Sequence, residues 1–224
     1  MKIKNILLIP MMLFSLASCN NNDNKITIAE VTHSLFYAPL YIAKNAGFFN
    51  DVGLDIDIVT TPGADKVMAS LLSKDAQIGL MGPEASVYVY NNGQENYAIN
   101  FAQLTQKDGS FLLGREKIDN FDYSMLKGKT IIGGRKGGMP EMTLEHVLKK
   151  NGLTITQNGK DKNADVNIRV DVSFDATSGV FVAGESDYVT AFEPTASQIE
   201  ATKKGYIVSS IGKDSGIVPY TCFS

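Results

Sequence analysis

The sequence predicts an α/β fold with mixed, mostly parallel sheets, split into two units. Two observations predict it. Short apolar runs alternate with helix-like segments, the pattern that lays helices over a parallel sheet. Near Gln106 to Ser110 that pattern breaks at a polar, glycine-containing link and then starts again.

Ile26 to Val31 reads as the first strand. Pro39 opens a helix where its missing N–H costs nothing, with Leu40, Ile42, Ala43 and Ala46 expected on the buried side and Gly47 closing it. Leu54 to Thr60 is a second strand with Leu54, Ile56 and Ile58 on one face. Pro62-Gly63 turns the chain into a helix whose apolar side carries Val67, Met68, Leu71 and Leu72. Ala76 to Met81 is a short buried strand, Gly82-Pro83 starts a helix that Asn92-Gly93 stops, and Ala98 to Thr105 is the next strand. After the break come Phe111 to Gly114 and Thr130 to Gly133 as strands, then a glycine-rich turn and a helix from Pro140 to Asn151. Val166 to Val172 is a strand, Thr177 to Ala183 a helix, and Tyr188 to Phe192 a strand. A helix through Ile199 to Lys204 and a strand at Ile207 to Ser210 finish the second unit. Gly216 to Phe223 reads as a strand crossing back to the first unit. These assignments divide the chain into residues 26–107, 108–216 and a returning segment 217–224. A folded domain rarely ends on a half-finished apolar strand, so the sequence is expected to be a piece of a longer protein.

Residues 1–18 read as an export signal. Lys2 and Lys4 precede an apolar run from Ile6 to Ala17, which is too short to span a bilayer, since spanning takes about 20 residues. Leu16-Ala17-Ser18-Cys19 matches a bacterial lipoprotein signal, with small residues before a cysteine whose thiol takes the lipid. Residues 19–25, rich in asparagine, read as a solvated tether. The expected location is therefore extracytoplasmic, anchored to a membrane through the lipid on Cys19.

Losing Lys2 and Lys4 takes the net charge from −3 to −5, which argues against nucleic acid as a partner. Once Cys19 is lipidated, Cys222 is the one remaining thiol, set in an apolar run that predicts a buried, structural role. One cysteine and two distant histidines make no metal site, and no cofactor is expected. No serine elbow or paired-histidine spacing points to catalysis.

Several blocks carry a resemblance. Phe36-Tyr37-Ala38-Pro39-Leu40-Tyr41-Ile42-Ala43-Lys44, Gly47-Phe48-Phe49 and Gly53-Leu54 resemble the opening of substrate-binding proteins of the nitrate/taurine/sulfonate type, and also of thiamine-precursor-binding proteins. Ala76-Gln77-Ile78-Gly79-Leu80, Leu126-Lys127-Gly128-Lys129-Thr130-Ile131 and Phe192-Glu193-Pro194 continue the likeness across the chain from about Ile26 on. The resemblance implies a type II periplasmic-binding fold, with two lobes, a hinge of crossing strands and a ligand held between them. It implies capture of a small solute (a sulfonate, a nitrate-like anion or a thiamine-precursor pyrimidine) and delivery to the permease subunits of an ABC importer. Pyrimidine-precursor synthases share the fold and form the enzymatic alternative, but this chain has no cysteine cluster and His33 does not align cleanly with their sacrificial histidine. Members of the family usually run on past the point where this chain stops.

In such folds ligands lie beyond the carboxyl ends of strands, where loops enter helix N-termini that favour anions. The first candidate loop holds His33, Ser34, Phe36 and Tyr37. Gly63 marks the second, and Gly82, Pro83 and Glu84 the third. Arg135, Lys136, Gly137, Gly138 and Met139 form the counterpart in the second unit. Its glycines admit close backbone approach, and its two basic side chains suit a sulfonate or phosphate. It is not a Walker A loop, because Met-Pro follows Gly138. Glu193 suits an amino or amidine group, or simply a helix N-terminus. Asp175 and Thr177 read as helix-capping residues, and His146 as a structural or surface residue.

Overall fold

A computed structural model describes residues 25–224. The signal, Cys19 and the tether up to residue 24 lie outside the described residues.

The first sheet has the order β2-β1-β3-β11-β4. It is built from β1 (Lys25–Glu30), β2 (Asp55–Thr60), β3 (Ile78–Met81), β4 (Ala102–Thr105) and β11 (Thr221–Phe223). Strands β2 and β3 run parallel to β1, whereas β11 runs antiparallel to both β3 and β4. The second sheet has the order β10-β5-β9-β6-β8-β7. Its strands are β5 (Ser110–Gly114), β6 (Lys129–Ile132), β7 (Ile155–Gln157), β8 (Val166–Arg169), β9 (Tyr188–Phe192) and β10 (Tyr206–Ser210). Here β6, β7, β8 and β9 are mutually parallel, and β5 is antiparallel to its neighbours β9 and β10. The antiparallel pairs belong to the strands beside the two crossings between the sheets.

Helices cover both faces of each sheet: α1 (Ala38–Asn45), α2 (Phe48–Asp51), α3 (Ala64–Leu72) and α4 (Glu84–Asn91) in the first lobe. The second carries α5 (Met139–Lys150), α6 (Thr177–Val182), α7 (Thr195–Ala201) and α8 (Ile211–Ser215). Coverage on both faces explains the unbroken apolar runs in the strands. Consecutive residues point to opposite cores. Ile28 packs with Leu40, Ile56 and Leu80, whereas Ala29 packs with Val67, Met68 and Met81. In the second lobe Leu112 and Ile131 meet Leu144 and Val147 of α5, while Leu113 and Ile132 meet Phe181 of α6 and Ile199 of α7.

Several expectations need correction. Ile42 is 60% exposed and Ala46 is exposed. Ile42 follows the buried Leu40 by two residues, which is about 200° around a helix, so both cannot face the core. Leu72, the last residue of α3, is left 37% exposed. The strand expected from Ala98 starts at Ala102, the one expected to reach Val172 ends at Arg169, and the returning segment is a strand over Thr221–Phe223 alone. A short helix, α8, separates it from β10. Cys222 is buried in β11, where burial raises its thiol pKa. His146 is exposed on α5. Among the described residues, no helix is long and apolar enough to cross a membrane, and no three His, Cys, Asp or Glu side chains are grouped to hold a metal.

Phe181 is fully buried, with its ring against Gly205 and under the Arg115 guanidinium at 3.9 Å. Phe181→Ala is expected to cost about 3–5 kcal/mol, read as a lower urea midpoint.

Candidate functional site

The chain leaves β1 at Glu30, whose side chain is completely buried. Its carboxylate accepts from the Tyr41 hydroxyl (2.6 Å), the Thr60 hydroxyl (3.1 Å) and His33 Nδ1 (3.0 Å). That last bond assigns a proton to Nδ1 and, in the neutral ring, leaves Nε2 to accept. The His33 ring stacks on Tyr41 at 4.3 Å, and burial raises the Tyr41 phenol pKa. The Tyr41 hydroxyl in turn receives the Ser34 N–H (3.1 Å), and Ser34 Oγ caps the next turn through the Phe36 N–H (3.2 Å). The loop after β1 is thus a wired unit with Glu30 at its root.

Opposite it, β9 ends at Phe192 and passes through Glu193 into α7. Phe192 lies 5.7 Å from the Phe174 ring and 5.6 Å from the Phe36 ring. Glu193 accepts from the Ser197 N–H (3.1 Å) and hydroxyl (2.8 Å), so it serves the first turn of α7. Between these two walls lies a cavity of about 370 Å³, lined on one side by Thr32, His33, Ser34 and Tyr41 and on the other by Phe174, Asp175, Thr177, Phe192 and Glu193, among others. It sits at the carboxyl ends of β1 and β9, where an α/β fold binds its ligands. A more open groove of about 610 Å³, lined by Glu145, Lys149 and Leu153 to Gln157 among others, lies on the outer edge of the second lobe. Its lining comes from α5, β7 and the segments flanking β7, all in the second lobe.

The structure separates the expected site residues into three groups. His33, Ser34 and Glu193 line the cavity. Phe36 and Tyr37 lie beneath it: Phe36 packs on Tyr37, Phe192 and Tyr220, and burial pushes the Tyr37 phenol up to about 12. The rest form a second patch along the seam. There Asp65, beside Gly63, holds Arg135 Nη1 at 3.0 Å, and the Tyr88 hydroxyl donates to the Gly137 carbonyl at 3.0 Å. Gly82 lies so close to the Glu84 carboxylate and Met139 that any Cβ would collide with both. Pro83 precedes α4, whose first-turn Glu84 is buried and has its pKa raised by that burial, against the opposing pull of the Met139 N–H and the Arg135 charge. Gly138 caps α5, and Lys136 is exposed.

Two contacts lower the positive potential that an anion meets at this patch. The Arg135 charge is taken by Asp65, and the Gly137 N–H donates to Glu141 at 3.0 Å. Burial, reinforced by the neighbouring Glu145, pushes Glu141 up to about 7. The protein's own carboxylates occupy the helix end that an anionic ligand needs. Glu30, Tyr41, Phe174 and Thr190 had not been expected at the site, and Asp175 and Thr177 had been read only as caps. Thr177 instead donates to the Phe174 carbonyl at 3.0 Å.

At the hinge, Asp108 is 5% exposed and accepts from the Ser110 N–H at 2.5 Å. Its second oxygen, the Ser110 hydroxyl and the Tyr220 hydroxyl close no hydrogen bond with protein atoms. Burial pushes Asp108 up to about 6, despite nearby hydroxyls of Ser110, Tyr220 and Thr143 that pull it down.

The family model described as NMT1/THI5 like matches residues 36–219. The binding protein YtlA of Bacillus subtilis is 47% identical over 214 residues, which cover 95% of this chain and 62% of that protein. The chain therefore spans about three-fifths of the length of this relative. The alkanesulfonate-binding protein SsuA of Xanthomonas axonopodis pv. citri, solved with MOPS, superposes with a TM-score of 0.64 at 19% identity, over 89% of this chain and 64% of that one. The periplasmic aliphatic sulphonate-binding protein SsuA of Escherichia coli superposes with a TM-score of 0.65 at 14% identity, over 89% and 64% of the two chains. Both share the fold, a type II periplasmic-binding architecture.

Because the folded-state pKa of Asp108 lies above its ordinary value, its proton is bound more tightly in the folded chain. Stability from this group is full below the ordinary carboxylate pKa and is lost as pH rises towards and past about 6. Asp108→Asn is therefore expected to exceed the parent by roughly 2–3 kcal/mol at pH 7.5. That advantage shrinks as pH falls below 6, as urea unfolding at matched pH values will read.

Proposed function

The chain belongs to the NMT1/THI5-like family, and on that premise we propose that it captures a small solute between its lobes for an ABC importer. One observation carries the reading: the cavity of about 370 Å³ has one wall from each lobe, so closure encloses whatever sits there. The hinge beneath it consists of two crossing segments, a construction that lets the lobes separate and close. Binding, rather than catalysis, fits the side chains present. The cavity's one imidazole is committed to Glu30, and the thiol of Cys222 is buried in the first sheet. The relative in Bacillus subtilis carries a binding protein's name, and the two SsuA neighbours are named as sulfonate-binding proteins. With a lipid on Cys19 the protein stands on the outer side of a membrane, where it meets the importer's permease subunits.

Native mass spectrometry of the chain purified from its own cells will test this. A solute is expected to be retained and to be released unchanged in mass on unfolding. Adding it back in large excess should stabilise the chain by about 3 kcal/mol, since a ligand at one hundred times its Kd does so. His33→Ala should weaken its capture by about tenfold. Release of a chemically altered solute would replace the binding reading with an enzymatic one.

A further inference from the structure

We propose that the cleft selects a compact organic cation, with Glu30 as the residue that sets the sign of the charge. This deepens the binding-protein reading and rests on it. The cavity lining includes two carboxylates, Asp175 and Glu193, and neither a lysine nor an arginine. One layer behind the wall lies Glu30, wholly buried, with His33 as its one basic partner among the described ion pairs. A carboxylate shielded from water projects its potential into the cavity more strongly than an exposed one does.

The rings act in the same direction. His33 and Tyr41 form a stacked pair on one wall, and Phe174 and Phe192 lie 5.7 Å apart on the other. Aromatic faces attract a cation and repel an anion. The His33 side chain is 72% exposed beside the cavity, so its Nε2 is available to accept from an amino or amidine N–H. Each oxygen of Glu193 accepts one bond from Ser197 and keeps a lone pair for a second donor. An anion entering the same space meets π faces and carboxylates. Of the two basic side chains at the seam, Arg135 is already paired with Asp65 and Lys136 is exposed to water, outside the cavity lining.

Titration calorimetry of the full chain with three probes of one ring size tests this: benzamidine, benzamide and benzenesulfonate, which are cationic, neutral and anionic. Benzamidine is expected to bind at least about tenfold more tightly than benzenesulfonate. Glu30→Gln should abolish most of that preference, read as the ratio of the benzamidine affinity to the benzenesulfonate affinity in the same variant. Should that variant fail to fold, the three-probe comparison on the parent chain still decides the sign of the charge the cleft prefers. Tighter binding of benzenesulfonate, or a preference untouched by a folded variant, overturns the inference and leaves the binding reading standing. So does recovery of an anionic solute from the native protein. A chain that binds no probe and retains no solute counts against the binding reading itself.

Discussion

Three residues near the carboxyl end, Thr221–Phe223, lie between β3 and β4 and turn two separate edges into one sheet. Cys222 pairs with Met81 on one side and Gln103 on the other. Ser224 and Gly79 exchange two backbone hydrogen bonds of 2.9 Å, and Phe101 N–H reaches the Phe223 carbonyl at 2.9 Å. The segment just before this strand runs alongside the outgoing one, with Val218 N–H on the Gln106 carbonyl (3.0 Å) and Tyr220 N–H on the Thr105 carbonyl (3.2 Å). The two crossings thus form a paired ribbon. Everything that faces across the cleft is positioned by where this ribbon leaves each sheet.

The ribbon also decides what the cleft floor is made of. Phe36 from the loop after β1, Phe192 from the end of β9 and Tyr220 from the ribbon meet with ring centroids 5.6 to 6.3 Å apart. Gly109 lies against the Phe36 ring at a distance no side chain would tolerate. Three parts of the chain therefore share one aromatic cluster, which ties the two lobes together below the cavity. Burying Asp108 next to it, with only neutral groups for company, costs stability at neutral pH. The same carboxylate fixes the start of β5 through Ser110, which gives the fold a reason to carry that cost.

The alternation of strands and helices, the two-unit division and the return to the first sheet were legible because each leaves a periodic trace of several residues. Strand β7 and helices α2 and α8 were not: three to five residues give no readable period. At the candidate site, the loops after β1 and β9 are legible from their position beyond a strand, and His33, Ser34 and Glu193 line the cavity there. Phe36 and Tyr37 pack among the rings outside the cavity lining, and an aromatic residue in a loop reads the same whether it meets ligand or packs beneath it. Glu30 was invisible for a different reason. A single acid at the end of an apolar strand looks like the solvated boundary of that strand, and its burial depends on Tyr41, Thr60 and His33 arriving from three other places.

The same limit explains why the glycine-rich segment at residues 133–138 pointed to an anion. Glycines, two basic side chains and a helix start are what such a site requires locally, and all of them are present. The groups that engage Arg135 and the helix start come from elsewhere, Asp65 and Glu84 from the first lobe and Glu141 from the first turn of α5, while Lys136 stays exposed. The Asp65–Arg135 pair joins the two lobes at the seam, so the Arg135 charge serves that contact. What remains open between the walls is aromatic and acidic. The loop that best advertises charge recognition in the sequence is engaged at the seam, and the cation selectivity proposed for the cleft rests on the loop after β1, with Glu30 buried at its root.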